Sequence, residues 1–366
     1  MRKYFKHTPA VFAVDKFYQI MMPCEESSLF FVKVGDKFYY DESNGIMCSR
    51  SKIHRVEVPA DELDKAKEYT VCIRPIIIRK AYFSKTKKVL EKTYKFYPVP
   101  ESNIRAYHIA DAHNNIEEPI KAAETFGDID FLILNGDVIE DSSNPKNFMN
   151  IYEICSRLTK GERPVIFSRG NHDLRGNFAE KFAEYTPSYL GNTYYSFRLG
   201  NIWGILLDCG EDKNDDHEEY GYTVACHIFR ERQTEFLKNI IENKEGEYEA
   251  QGIRHKLVIS HNAFVHRYQP PFDIEQDIFA EWSKLLRENV KPEKKERGVF
   301  KKMLNAVKHN DQLRWIFVIF LIQQVANNII LGGLGSTYIY LQFGYDGGLY
   351  SLFSTVGVAA TAFLMI

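Results

Sequence analysis

The amino-acid sequence predicts an α/β fold for the middle of the chain, with a β-rich region before it and an apolar region after it. Between residues 104 and 292, short apolar runs alternate with segments of helical periodicity, as expected for strands and helices that take turns. Over residues 1–100, apolar and polar residues alternate with a period of two, which indicates half-buried strands. Beyond residue 314 the chain is almost free of charge.

The first region, residues 1–100, is rich in Tyr, Phe, Val and Lys. Gly, Asn, Asp and Pro separate its alternating runs, which include Ser28–Val34, Lys37–Tyr40 and Tyr69–Arg74. Short strands with frequent turns favour a small β-sandwich. No combination of catalytic or metal-binding residues stands out in this region. We therefore predict that it is an accessory domain.

The second region, residues 101–292, is predicted to form a sheet with helices around it. Its short apolar runs each end in a polar motif, and they are Arg105–Ala110, Phe131–Asn135, Val165–Ser168 and Leu257–Ser260. The predicted helices are Ile116–Thr125, Phe148–Thr159 and Phe229–Asn243. Sites of α/β proteins collect just beyond the carboxyl ends of the strands. A functional site is therefore expected in the motifs that follow these runs.

The third region, residues 293–366, predicts a basic linker followed by two transmembrane helices. Lys291–Arg314 contains eight basic and three acidic residues. Trp315–Phe343 and Leu349–Ile366 contain no charged residue, and an apolar segment of about 20 residues is long enough to span a bilayer. A single segment of this kind is also compatible with a buried core helix, but two in tandem after a basic flank favour membrane insertion.

Charge and cysteine content exclude some classes of function. The formal net charge of −2 argues against a protein that binds nucleic acid through a general basic surface, and no nucleic-acid platform is evident. The six cysteines are scattered without a Cys-x-x-Cys pair, which indicates reduced thiols. The beginning of the chain has no apolar run long enough for a signal peptide. These features predict a cytoplasmic location for the first 290 or so residues.

Four polar motifs follow the four predicted strands, and together they predict a metal site. They are Asp111-Ala-His113, Gly136-Asp137-Val-Ile-Glu140, Gly170-Asn171-His172-Asp173 and Ser260-His261. Alone, a motif such as Gly-Asp after a strand is usually a turn. In series, they supply carboxylate, imidazole and amide groups, which a pair of divalent first-row metals accepts. Two such ions about 3.5–4 Å apart can clamp a phosphate and activate water, and Asp137 is suitably placed to bridge them.

As a set, the motifs resemble those of the calcineurin-like metallophosphoesterases, over about half of the chain. The resemblance implies a four-layer αββα sandwich with two metal ions at the strand ends, joined to an N-terminal β-sandwich of the kind that some relatives carry. It implies that Asp111, His113 and Asp137 hold the first ion, and that Asp137, Asn171 and His261 hold the second. His172 would be the general acid or would stabilise the transition state at the leaving oxygen, with Asp173 orienting it.

The metal identity stays open between Mn²⁺, Fe²⁺ and Zn²⁺. Glu140 stands where purple acid phosphatases would place a metal-binding Tyr, and His113 also departs from their pattern, so an iron–tyrosinate site is not expected. Other polar residues have a weaker case: Arg175 could contact a phosphate or lie at the surface, and Asp212–Glu219 is predicted to be a solvated turn. His266 is held in reserve as a ligand because it is close to His261 in sequence.

The resemblance breaks off after Pro292. The family completes its site with a Gly-His-x-His loop, and this sequence contains no Gly-His-x-His. Residues 281–292 resemble the helix that leads to that loop, but charged residues 293–297 follow instead of an apolar strand. We therefore expect a C-terminally truncated metallophosphoesterase domain with impaired activity.

From about Lys294 the sequence resembles a different family, the melibiose-type sugar:cation symporters of the major facilitator superfamily. The resemblance covers about seventy residues, including Phe300–Asn305 and the apolar span with Tyr338 and Tyr340. Two helices cannot build an alternating-access site, so no transport role is expected. This pattern predicts a fusion of two truncated genes at Lys291-Pro292.

Two functional hypotheses follow from the sequence. The first is an enzyme that hydrolyses a phosphomonoester or phosphodiester with two divalent metal ions. The second is a non-catalytic, membrane-attached remnant of a phosphoesterase and a symporter. In both, the C-terminal helices would contact the lipid bilayer, and the basic flank before Trp315 would keep the phosphoesterase part on the cytoplasmic side.

Overall fold

The structure, a computed structural model, describes residues 4–264, 269–290 and 315. Its strands are β1 (Ala10–Val14), β2 (Phe17–Pro23), β3 (Ser28–Val34), β4 (Lys37–Tyr40), β5 (Glu42–Ser43), β6 (Ile46–Met47), β7 (Ile53–Pro59), β8 (Glu68–Ile78), β9 (Lys85–Thr86), β10 (Leu90–Lys95), β11 (Ala106–Ile109), β12 (Phe131–Asn135), β13 (Pro164–Ser168), β14 (Tyr195–Leu199), β15 (Ile202–Leu206) and β16 (His255–Ile259). Its α-helices are α1 (Ala60–Ala66), α2 (Glu117–Phe126), α3 (Phe148–Thr159), α4 (Phe182–Tyr185), α5 (Cys226–Glu242) and α6 (Gln276–Asn289). The predicted mixed α/β class is confirmed.

The largest sheet has six strands in the order β11-β12-β13-β1-β2-β7. Strands β11, β12, β13 and β1 run parallel, and β2 and β7 are antiparallel to their neighbours. Because parallel strands end at the same edge of a sheet, the loops after β11, β12 and β13 lie side by side. These loops carry three of the four predicted motifs.

The first 100 residues are β-rich, as predicted, but they do not form a sandwich of their own. Strands β1, β2 and β7 belong to the six-stranded sheet, while β3, β4, β8, β9 and β10 form a second sheet. All of Ala10–Val14 is buried, and a strand that is apolar on both faces requires layers on both sides, which a central position in a larger sheet provides. Met1–Glu293 accordingly forms one compact unit.

A three-stranded sheet, β14-β15-β16, packs against the six-stranded one. Its strand β15 is buried on both faces: Ile202 and Leu206 belong to the core shared with the six-stranded sheet, and Trp203 and Ile205 to a core under helices α5 and α6. Helices α2 and α3 lie against the six-stranded sheet. The cores therefore place two sheets between two pairs of helices.

The third predicted region lies almost entirely outside the described residues. Among the residues that the structure describes, no helix is long and apolar enough to cross a membrane. The two predicted transmembrane helices and the symporter-like segment fall on residues 293–366, of which only residue 315 is described.

Candidate metal centre

The centre is built from the loops that follow β11, β12, β13 and β16. The first two loops are joined backbone to backbone, because Asp111 N–H donates to Gly136 O at 3.2 Å and His113 N–H donates to Asp137 O at 2.9 Å. Asp111, His113 and Asp137 have positive φ angles of 54°, 44° and 50°. Such conformations are costly for residues with side chains and concentrate at functional sites. The backbone is thus held in an unfavourable form where the polar side chains meet.

Three of the predicted ligands converge on a fourth, Asp137, which is 2% exposed. Its Oδ2 atom lies 3.3 Å from His261 Nε2 and 4.0 Å from His113 Nε2. Asp111 Oδ1 lies 3.9 Å from the Nε2 atom of each of the same two histidines. Carboxylate and imidazole donors from three different loops therefore face one another.

The donors form two groups that share Asp137. One group contains Asp111, Asp137 and His261, the other contains His113, Asp137 and His172, and within each group the donor atoms lie within 4.8 Å of one another. The Oδ1 atom of Asp137 accepts a hydrogen bond from His172 N–H at 2.9 Å. This donor set fits two divalent ions bridged by one carboxylate. The division of ligands between the ions stays a prediction.

Two groups that sequence reasoning did not assign orient the histidines. The Nδ1 atom of His261 lies 2.8 Å from Asn135 O, and Nδ1 of His113 lies 3.4 Å from the Glu140 carboxylate. The hydrogen bond to the Asn135 carbonyl holds Nδ1 of His261 protonated and leaves its Nε2 as the donor to a metal, and the charge of Glu140 lies close to Nδ1 of His113. Glu140 was visible as the last residue of its motif, whereas a backbone carbonyl such as Asn135 O carries no signal in the sequence.

His172 lies beside the other histidines, but Asp173 does not orient it as predicted. The Nδ1 atom of His172 is 3.0 Å from Glu140 O, and its Nε2 is 3.3 Å from Arg175 Nη1. The buried carboxyl group of Asp173 instead accepts through Oδ2 from Gly170 N–H at 2.8 Å and from Asp137 N–H at 3.3 Å. Asp173 thus fixes the backbone of two ligand loops.

The remaining predicted ligands differ in what the structure shows of them. Asn171 is 7% exposed and precedes the short 3₁₀ helix His172–Leu174, directly after β13. His266, held in reserve, lies outside the described residues.

The electrostatics of the centre depend on the pair formed by His261 and Asp137. Burial lowers the pKa of His261, but the hydrogen bond with Asp137 and the charge of that carboxylate outweigh it and give a pKa of about 9. Burial raises the pKa of Asp137, but the contacts with His261 and His172 hold it below its ordinary value. Burial also raises the pKa of Asp173 to about 8.

The segment Asp212–Glu219, predicted to be a solvated turn, takes part in an ion-pair network. The guanidinium of Arg175 donates to both carboxylate oxygens of the buried Glu211, at 3.0 and 2.9 Å. Lys213 Nζ lies 3.0 Å from Asp212 and 2.9 Å from Glu219. Partly buried pairs of opposite charge compensate one another, so these residues fix the loop at the His172 side of the centre.

Residues 104–296, just over half of the chain, match the family model described as calcineurin-like phosphoesterase. The chain belongs to this family. A comparison with curated proteins gave no match.

Among solved structures, the chain resembles the purple acid phosphatase PPD1 from yellow lupin (Lupinus luteus) seeds, with a TM-score of 0.43 and 12% identity. The match covers 76% of this chain and 56% of the lupin one. The chain therefore spans little more than half the length of that structure.

Two glycines of this calcineurin-like phosphoesterase leave room for side chains of the two donor groups. A Cβ atom on Gly136 would lie 2.5 Å from the His261 ring, and one on Gly170 would lie 2.2 Å from Asp137 Oδ1. Both distances are far below any van der Waals contact, and the neighbours are side chains of the two donor groups. The geometry of the donor groups thus depends on glycine at these two positions.

We expect Gly170→Ala to displace Asp137. The affinity of the protein for metal should then fall roughly 10–100-fold, the range found when the surroundings of metal ligands are disturbed. Metal titration followed by calorimetry measures this change. The matched control is Gly246→Ala, since a Cβ there meets nothing within 4 Å. Equal affinity in both variants would contradict the close approach of Gly170 to Asp137.

Metal binding to this phosphoesterase should release a proton from His261. Because the pKa of His261 is raised to about 9, its ring must lose a proton before Nε2 can bind an ion, and affinity should rise by about tenfold per pH unit below that value. In protein from which metal has been removed by a chelator, the ion pair of His261 with Asp137 should stabilise the fold. This stabilisation should be complete at pH values below 6.5, the ordinary pKa of histidine, and should disappear as the pH rises through about 9.

Calorimetry in buffers of different ionisation enthalpy counts the released protons. His261→Asn should abolish the His261 contribution, whereas His255→Asn, at an exposed histidine of β16, should leave it unchanged. A proton count that does not respond to His261→Asn would contradict this role.

Proposed function

We propose that this calcineurin-like phosphoesterase hydrolyses a phosphomonoester or phosphodiester with two divalent metal ions. The observation that carries the proposal is the buried carboxylate of Asp137, which belongs to both donor groups of the centre. A carboxylate shared by two sets of donors is the arrangement that a two-metal site requires.

In this proposal Asp111, His113, Asp137, Asn171 and His261 hold the ions, whose identity is Mn²⁺, Fe²⁺ or Zn²⁺. When bound, such ions supply Lewis-acid activation of a phosphoryl group and of water. The protein holds the imidazole of His261 in the orientation that binding needs through Asn135 O, and the Glu140 carboxylate lies 3.4 Å from Nδ1 of His113.

His172 is proposed to act on the leaving oxygen. Its ring lies at right angles to that of His113, with centroids 4.6 Å apart, so it borders the donor groups. Asp173 holds the loop that carries it by accepting from Gly170 N–H. Asp173 is thus a positioning residue, and no contact with substrate is assigned to it.

Turnover is proposed to be low. The sequence has no Gly-His-x-His motif, so the histidines that such a loop supplies in the family are missing from this chain. In the described part of the chain, β16 is the last strand of its sheet, and Val258 in it is 43% exposed. Each ion would therefore have fewer protein ligands than the complete motif set would supply.

The alternative is a non-catalytic, membrane-attached fusion remnant. The missing motif and the two uncharged segments after residue 314 favour it. The symporter-like origin of residues 294–366, their insertion into a bilayer and a cytoplasmic catalytic part stay proposals.

Hydrolysis of p-nitrophenyl phosphate and of its bis-ester, with Mn²⁺ added after chelation, tests the proposed function. Metal-dependent release of p-nitrophenol that chelation reverses supports the enzyme, and the preferred ester assigns the substrate class. No release above the uncatalysed rate, with any of the three metals, would refute it in favour of the remnant.

A further inference from the structure

The turn between β8 and β9, with its flanks, exposes large apolar side chains. We call residues 74–88 the basic hairpin. Ile77 and Ile78 are 60% and 46% exposed, and Tyr82 and Phe83 are 78% and 87% exposed. Single exposed apolar residues are ordinary, but a contiguous group of them marks an interaction site.

The same segment is strongly basic. Residues 69–90 contain no Asp or Glu, and their six basic residues all lie in the basic hairpin: Arg74, Arg79, Lys80, Lys85, Lys87 and Lys88. The whole chain has a net charge of −2, so this positive charge is local. A local basic surface attracts an anionic partner.

A second turn lies against the basic hairpin and enlarges the apolar surface. Arg79 Nη1 donates to Met47 O at 2.8 Å, which joins the basic hairpin to the β5–β6 turn, where Ile46 is 62% exposed. The acidic groups at this turn are engaged: the Glu42 carboxylate accepts from Gly45 N–H, and Asp41 contacts the buried His54. Both carboxylates are therefore turned to partners within their own part of the fold.

The tip of the basic hairpin has a defined conformation. Ser84 Oγ accepts from Lys80 N–H at 3.1 Å and donates to Lys80 O at 3.0 Å, which closes the turn. Phe83 has a φ angle of 58°, which is rare for a bulky residue. This backbone conformation costs free energy, and the Phe83 side chain, which is 87% exposed, does not offset the cost by packing inside the protein.

We propose that the basic hairpin docks on a membrane surface that contains anionic lipid. Aromatic and aliphatic side chains enter the boundary between headgroups and acyl chains, and the surrounding lysines pair with anionic headgroups. A nucleic acid would suit the charge but offers no apolar partner for Ile46, Ile77 and Ile78. The proposal does not depend on the phosphoesterase activity or on any residue after 290.

Phe83→Trp in the full chain tests this directly. With vesicles of phosphatidylcholine and phosphatidylserine that carry brominated acyl chains, we expect a blue-shifted and quenched emission from the new tryptophan, relative to the unsubstituted protein. The matched control is Tyr222→Trp, at a residue that is 84% exposed elsewhere, whose emission should not change. Trp203, Trp282 and Trp315 are present in both variants and in the unsubstituted protein, so subtracting the unsubstituted signal isolates the emission of the introduced tryptophan.

Charge dependence gives a second measurement. The double variant Lys87→Ala with Lys88→Ala should need a roughly 25-fold higher lipid concentration for half of the emission change. This corresponds to about a fivefold loss of affinity for each charge removed near an anionic surface. Lys121→Ala with Lys284→Ala, at exposed lysines elsewhere, is the control.

Three results would overturn the proposal. They are the absence of quenching at position 83, equal quenching at positions 83 and 222, and an emission change with single-stranded RNA in place of vesicles. Should Phe83→Trp fail to fold, Tyr82→Trp provides the same measurement at the neighbouring exposed position.

Discussion

Replacing Asp137 by Asn should reduce both metal content and hydrolysis at least ~100-fold, because this carboxylate belongs to both donor groups. The amide keeps the size of the side chain and can still accept from His172 N–H, so the loop geometry should survive. What is lost is the negative charge, which is available at neutral pH because the pKa of Asp137 is held below its ordinary value. Metal analysis after gel filtration and the p-nitrophenyl assay measure the two effects.

The matched control for this substitution is Asp141→Asn. Asp141 lies in the same loop, and its carboxylate accepts from Ser143 N–H at 2.7 Å but belongs to neither donor group. It should retain the wild-type metal content and rate. If Asp137→Asn still carried two ions per chain with unchanged turnover, the shared carboxylate would not be the bridge.

A third readout separates loss of ligation from loss of folding. In protein treated with chelator, the raised pKa of His261 depends on the hydrogen bond and charge of Asp137. Asp137→Asn should therefore lower the pKa of His261 from about 9, as followed by NMR of the ring. An unfolded variant would lose the dispersion of all histidine signals instead.

Local pattern was sufficient to predict many elements of the fold. The predicted bounds of β3, β4, β12 and α3 agree with the structure, because each is a run whose periodicity and flanking turns are complete within the segment. The position of β1 was not predictable in this way. In its pairing with β13, Val11 lies opposite Pro164, which is more than 150 residues away in the sequence. The residues of Ala10–Val14 alone do not indicate which strand they pair with.

The candidate site shows the same division. Motifs after strands identified residues that the structure brings together, because the carboxyl ends of parallel strands share an edge. The orienting contacts depend on loop conformation, so the carbonyl of Asn135 and the role of Asp173 emerged only with the structure. For Arg175 the sequence offered a phosphate contact or the surface, and neither alternative included its pairing with the buried Glu211.

His172→Asn should slow the hydrolysis of an alkyl phosphate by roughly 10²–10⁴-fold, the range for loss of a general acid. The same variant should slow the hydrolysis of p-nitrophenyl phosphate much less. The reason is that an alkoxide leaves poorly without a proton, whereas p-nitrophenolate leaves readily without one. Since Arg175 Nη1 lies 3.3 Å from His172 Nε2, the ring accepts from the guanidinium and its Nδ1–H donates to Glu140 O. A proton on Nε2 thus requires Arg175 to move away, and substrate phosphate is the natural competitor for that cation.

The same variant decides between two roles that the geometry permits for His172. Its ring also belongs to a donor group with His113 and Asp137, so it could bind metal instead of donating a proton. A proton donor predicts unchanged metal content with a strong dependence on the leaving group, and a ligand predicts loss of metal with equal slowing of both esters.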